Sequence, residues 1–423
     1  MGEATDHANE RRTFLRRLLG CGLLGVGASL GTGAIPEREP VNGAEERSGQ
    51  AAPHGVTLFL CGDVMTGRGI DQALPHPSDP RLQEPYVRDA RRYIALAERV
   101  SGPLETPVDF AYVWGDALSE LRRMAPTLRL INLETAVTAS DRYWRGKQIH
   151  YRMHPRNLPC VTSAGIHCCT LANNHVLDWG HAGLTETLQS LSGAGVATVG
   201  AGKDFEQARA VARLPLPGQQ GRALVLGLGH GSSGIPSAWK ATSYRGGVWR
   251  VEDLSAATVE QVARHLEQHR CHGDLVIVSI HWGPNWGYGI PAEQRDFAHR
   301  LIDLAGVDLV HGHSSHHVKG IEVYRERLIL YGCGDFLNDY EGIGGYEEFR
   351  GDLSLMYFPV LEPGTGRLTG MRMTPTRVRR LRVERAGQGD TEWLQAVLNR
   401  EGKGFGTWVE AGEGGALSLR WRS

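Results

Sequence analysis

The sequence lacks a net charge, a cysteine framework, an internal repeat and an apolar run of comfortable membrane-spanning length. Its 46 basic and 47 acidic side chains leave a formal charge of −1 over 423 residues. No global field therefore recruits nucleic acid or an anionic membrane surface, and any anionic substrate must be attracted locally. The seven cysteines include no CxxC pair and no zinc-finger spacing, so they define neither a zinc ribbon nor a disulfide scaffold. Several, such as Cys168 and Cys169, sit inside apolar runs and read as small buried hydrophobes. What is present is a 41% hydrophobic content, suited to a soluble globular chain of one large or two ordinary domains.

Residues 11–34 depart from this even composition. Arg11, Arg12, Arg16 and Arg17 precede an apolar, glycine-rich run from Leu18 to Ala34 that ends in the small residues Thr32, Gly33 and Ala34. This layout predicts a twin-arginine-type signal over 1–34, and hence export to a periplasmic, cell-envelope or extracellular location. The run is at the short edge of spanning length and diluted by glycines, which favours a removable signal over an anchor helix. Residues 35–54, rich in Pro, Glu, Gly and Ala, read as a flexible linker. The folded domain is expected over 55–423.

Within it, short apolar runs alternate with helical patterns, the signature of an α/β fold. Strands are expected over 57–61, 128–133, 167–171, 223–228, 275–280 and 307–311, with helices over 88–100, 184–194, 259–269 and 292–305. Beyond 311 the pattern turns β-rich: a hairpin of 321–324 and 328–331 around 325–327, then strands over 353–360 and 371–382 and a helix over 393–400. No linker-like break separates the two parts, so one domain is expected.

Five of the strands run out into polar residues that strand formation does not explain. They deliver Asp63 and Arg68, then Glu134, then Asn174 and His175 with Asp178 close behind, then His281, and finally His313 and His316. All lie on the C-terminal side of their strands, where loops of an open α/β sheet face a common crevice. Two acids, an amide oxygen and several imidazoles make a mixed O/N donor set. It suits one or two ions of Mn, Fe or Zn better than the all-oxygen shell preferred by Ca or Mg. Such ions serve phosphoryl or acyl hydrolysis, with a neighbouring imidazole to protonate the leaving group. Arg68, Arg152 and Asp178 are the candidate substrate contacts, the two arginines as an anion clamp.

These segments resemble the CapA family of poly-γ-glutamate capsule biosynthesis proteins, which shares a fold with calcineurin-like metallophosphoesterases. The likeness runs over 57–359. It is carried by Gly62-Asp63-Val64-Met65 with Arg68, Asn132-Leu133-Glu134, Ala172-Asn173-Asn174-His175 with Asp178, His281-Trp282-Gly283, Gly312 to His316, and Leu330 to Phe336 with its Gly334-Asp335 pair. It implies a sandwich of two mixed sheets flanked by helices, with Asp63, Glu134, Asn174, His281, His313 and His316 as metal ligands and His175 as proton donor. Metallophosphoesterases usually open on an Asp-x-His pair, whereas Met65 stands at the third position here, and a thioether is a poor ligand for hard ions. Two functions follow as expectations. One is an exported capsule or poly-γ-glutamate biosynthesis protein with a metal-dependent phosphoesterase-like site. The other is a non-catalytic accessory protein that binds an anionic envelope polymer. The partners implied are that polymer or a phosphoester substrate and a polymer-synthesis membrane complex, with no nucleic acid.

Overall fold

Period-two alternation on the strands decides the layers. Every residue of the strand Leu275–His281 is buried: Leu275 and Ile277 enter one apolar cluster, and Val276, Val278 and Ile280 enter another. The neighbouring Arg222–His230 divides the same way, with Ala223 and Val225 on one face and Leu224, Leu226 and Leu228 on the other. A strand buried on both faces needs cover on both. The computed structural model, which describes residues 55–218 and 221–422, supplies it with a second sheet on one side and helices on the other. The expected signal and linker lie outside the described residues.

The larger sheet runs in the order Asp335–Leu337, Asp63–Val64, Leu128–Leu133, Val56–Phe59, Leu353–Leu361, Leu368–Arg379, Leu417–Trp421 and Thr407–Ala411. Cys168–Thr170 also pairs with Leu128–Leu133 and carries Ala197–Val199 beyond it. The smaller sheet runs Arg250–Val251, Arg222–His230, Leu275–His281, Leu309–His313, Arg327–Leu330 and Ile321–Tyr324. Leu58, Leu60, Leu128 and Leu130 of the first share a core with Val225, Ile277, Leu309 and Leu328 of the second. The fold is therefore mixed α/β. Of the β-rich C-terminal stretch, Ile321–Tyr324 and Arg327–Leu330 belong to the smaller sheet, and the later strands join the larger one through Leu353–Leu361, antiparallel to Val56–Phe59.

Helices Ala256–Glu267 and Ala292–Ala305 cover the outer face of the smaller sheet with Val259, Val262, Phe297 and Leu301. Asp116–Met124 and Gly180–Gly193 cover the larger one with Ala117, Leu121, Leu184 and Leu191. Ala292–Ala305 matches its expected span and ends on Gly306 at φ 62, the left-handed conformation that glycine adopts without strain. Ala256–Glu267 begins earlier than expected because the Ser255 hydroxyl caps it, accepting from the Thr258 amide at 3.3 Å. The expected hairpin forms from Ile321–Tyr324 and Arg327–Leu330, turning through Arg325 and Glu326 with positive φ at both. Among the described residues, no helix is long and apolar enough to cross a membrane.

Candidate metal centre

The inner face of the smaller sheet changes character toward the strand ends. Its inward positions read Ile277, Ser279, His281 on one strand and Leu309, His311, His313 on the next. Ser279 pairs in register with His311, and His281 with His313. Leu309–His313 runs two residues past its expected end, so both histidines belong to the strand. The larger sheet turns polar at the same level, where Asp63 pairs with Asn132 and Glu134 follows. Gly62 permits this arrangement, since a Cβ there would lie 1.7 Å from the Gly334 carbonyl oxygen. That close approach sets Asp335 beside Asp63 in parallel register.

Asp63, His281 and His313 can each offer one ligand atom, all within 4.8 Å of one another, and all three side chains are buried. His281 Nδ1 lies 2.7 Å from His313 Nδ1, and Asp63 Oδ1 lies 3.9 Å from the latter. Glu134 Oε1 is 3.9 Å from His281 Nε2, whose hydrogen-bond partner at 3.1 Å is Asn174 Oδ1. Asn132 donates to Asp63 at 2.7 Å and to Glu134 at 3.2 Å, and is itself held by Asn173 at 3.0 Å. Ser314 is kept at φ 101, an uncommon conformation for a residue with a side chain, and its amide points at Asp63 Oδ2 at 3.3 Å.

The electrostatics ask for a positive ion. Burial pushes the Asp63 carboxyl up to about 7, with the Asp335 carboxylate adding to the rise. Burial, then the Asp63 charge, push Glu134 well above the carboxylate range. Burial also pushes His281 and His313 well below the usual imidazole value, so both rings are neutral with lone pairs to give. A divalent cation satisfies both trends at once, and the residues present fit one.

Beside this group, His175 Nδ1 meets Asp178 Oδ2 at 2.5 Å, while its Nε2 points to Glu134 Oε1 at 3.7 Å. Burial alone would raise the Asp178 carboxyl, but the His175 ring and the Lys147 ammonium at 2.5 Å outweigh it and hold it at about 2. Asp178, expected as a substrate contact, is thus turned to His175, Lys147 and the Tyr151 amide. His316 presents Nδ1 to Asp335 at 2.8 and 3.0 Å. Glu134, Asn174, His175, His281 and His316 line one cavity, rimmed by Tyr151, Trp286 and Tyr340.

The structure thus gathers Asp63, Glu134, Asn174, His175, His281, His313 and His316. It places the two arginines elsewhere, lining a separate cleft. Arg68 is buried and ion-paired with Asp339 at 2.5 Å and Glu84 at 3.0 Å. Arg152 pairs with Asp141 at 2.9 Å and lies over the Trp179 ring. Met65 is buried, its sulfur accepting from the Tyr340 hydroxyl at 3.6 Å. Ser279, His311, Asp335 and Lys147 are additions to the expected set. For Ser279 and His311 a signal existed, since they are in phase with His281 and His313 on the same strands. The cysteines meet expectation: Cys61, Cys160, Cys168, Cys169 and Cys333 are free and buried, and Cys271 is free and exposed.

Fold and donor set together define an α/β protein of two facing sheets with a candidate divalent-cation centre at their strand ends. The family described as Bacterial capsule synthesis protein PGA_cap matches residues 57–340, and the chain belongs to that family, the CapA family. A probable polyglutamine synthesis accessory protein of Mycobacterium tuberculosis is 49% identical over 355 residues, 84% of this chain and 93% of that protein. The capsule biosynthesis protein CapA of Bacillus anthracis is 26% identical over 285 residues, 67% of this chain and 60% of its own length. The PGA biosynthesis protein CapA of Bacillus subtilis is 27% identical over 238 residues, 56% of this chain and 58% of its own.

Proposed function

We propose that the chain serves the synthesis of polyglutamate or a related anionic envelope polymer, and that its cavity is a cation-dependent phosphoester-hydrolysing site. The biological half rests on family membership and on the names of the relatives. The chemical half rests on one juxtaposition: the Asp63, His281 and His313 donors lie beside an imidazole that is oriented by Asp178 and directed at Glu134. On this reading the two facing sheets are a metallophosphoesterase-type sandwich within a single domain over 55–423. Residues 1–34 direct export through a twin-arginine route.

The mixed O/N donors favour Mn, Fe or Zn. When bound, such an ion supplies Lewis acidity toward an anionic oxygen of the substrate. The chain's own residues do the rest. Glu134 and Asn174 complete the polar wall, and Asp178 fixes the His175 ring so that Nε2 can give a proton to a departing alkoxide. Lys147 holds Asp178 ionised behind it. Metal analysis of the purified protein with a broad phosphoester screen tests the reading. Stoichiometric metal and His175-dependent turnover are expected; a metal-free protein under all loading conditions would sink it.

A second reading has its own observation. Met65 occupies the place of a histidine ligand and is engaged by Tyr340, so the centre is a poor two-ion site. A protein that binds an anionic polymer without cleaving it, within a polymer-synthesis membrane complex, would need no more than one ion. Titration with poly-γ-glutamate, with and without metal, separates the two. Saturable binding with no turnover of any phosphoester favours the accessory role.

A further inference from the structure

Behind the His313 ring, buried polar groups form one hydrogen-bonded chain, and the far end of that chain sets its direction. The Cys61 carbonyl oxygen can only accept, so His311 Nε2, 2.8 Å away, carries a hydrogen and donates to it. His311 is fully buried, and its hydrogen-bond partners among the described residues are that carbonyl and Ser279. With no carboxylate against it the ring stays neutral, because an uncompensated buried charge is costly. Its Nδ1 is therefore bare and takes the hydrogen of Ser279 Oγ at 3.1 Å. The Ser279 oxygen is left to accept, and the donor available is His313 Nε2 at 3.0 Å. His313 then holds its one hydrogen on Nε2. Its Nδ1 is a bare lone pair, 2.7 Å from His281 Nδ1 and 3.9 Å from Asp63 Oδ1. Run the other way, the chain would end with a ring lone pair against the Cys61 carbonyl lone pair, away from the donor set, whereas the lone pairs of His313 Nδ1 and His281 Nδ1 meet among the donors, where a cation bound by both rings relieves the contact.

We propose that Ser279 and His311 are positioning residues that lock His313 in its Nε2–H tautomer and so present Nδ1 as the cation-binding atom. The device spans both sheets. Ser279, His311 and His313 come from the smaller sheet, whereas Cys61 stands two residues before Asp63 on the strand exit of the larger one. The segment that delivers the carboxylate donor thus also sets the tautomer of the imidazole donor facing it. Partners of this kind, which never touch the ion, fix ring orientation and ligand basicity. The consequence for affinity rests on the cation reading of the site; the tautomer itself does not.

Two measurements test the proposal and separate its failure from that of the cation reading. In metal-free, histidine-labelled protein, two-bond proton–nitrogen correlations report which nitrogen of His313 is protonated. Nε2 is expected, and an Nδ1-protonated ring overturns the proposal without any variant being made. In calorimetric titration with Mn or Zn, Ser279→Ala is expected to bind roughly 10- to 100-fold more weakly than the parent. Ser279→Thr, which keeps the hydroxyl, should recover most of that loss. Ser279→Ala binding within about twofold of the parent, with an unchanged melting curve, overturns the proposal. If the parent binds no cation and still shows the Nε2–H ring, the relay stands and the cation reading fails.

Discussion

His281 and His313 come from adjacent strands of the smaller sheet and are backed by uncharged oxygens, those of Asn174 and Ser279. His175 and His316 come from loops and are backed by carboxylates, Asp178 at 2.5 Å and Asp335 at 2.8 Å. The four rings share one polar centre, yet the group behind each ring suits it to a different task. An uncharged partner leaves a buried imidazole neutral, with a lone pair for a cation. A carboxylate partner takes the hydrogen of one ring nitrogen and fixes the ring's orientation, so that the other nitrogen is aimed, as a proton donor or an anion contact requires. Position on a rigid strand suits the first task, and a loop at the cavity wall the second.

The strand-borne rings should matter most for holding the ion. His313→Ala should abolish cation retention, a loss beyond the roughly 10- to 100-fold typical of residues outside the ligand shell, and turnover should vanish with it. Metal analysis after dialysis reads this directly. His175→Ala should behave oppositely: the ion stays bound, while phosphoester turnover falls by roughly 10²- to 10⁴-fold, the usual range for a lost acid or base. His316→Gln sharpens the line between the groups. It is expected to keep the ion and to lose turnover toward the lower end of that range, about 10²-fold. A metal-free His316→Gln protein would move His316 into the first group and make Asp335 its orienting partner there.

Much of this centre was legible in the sequence because its members stand at strand exits, where neither packing nor turn formation accounts for a glutamate, an asparagine and several histidines. What stayed hidden did so for physical reasons. Ser279 and His311 lie inside apolar strands, and period two makes a serine there look like a tolerated core residue until its cross-strand neighbour is known. Lys147 belongs to a stretch without periodicity and meets Asp178, 31 residues on, only in the folded chain. Arg68 looked like an anion clamp because its partners Glu84 and Asp339 are 16 and 271 residues away. A buried guanidinium takes carboxylates from wherever the fold supplies them. The strand and helix order read well for the same reason as the site: alternation and caps are local. The Ser255 cap was equally local and would have placed the start of Ala256–Glu267 correctly.

The smallest effect concerns stability and needs no ligand. Burial, partly offset by the Cys61 carbonyl, lowers the His311 ring from 6.5 to about 4. Between those values the unfolded chain binds a proton that the folded one does not, so stability is full above about pH 6.5 and falls as pH drops toward 4. At pH 5 the His311 share is about 2 kcal/mol, from roughly 1.4 kcal/mol per pH unit. His317, lowered to about 3 chiefly by burial, extends the same loss to lower pH. Urea unfolding at pH 7.5 and pH 5 measures the total. His311→Gln, which cannot titrate, should remove about 2 kcal/mol of that pH dependence whatever it does to stability at pH 7.5. An undiminished dependence would mean that His311 is not held neutral in the fold. The relay through Ser279 would then lose its direction, and His313 its place among the rings that offer a lone pair.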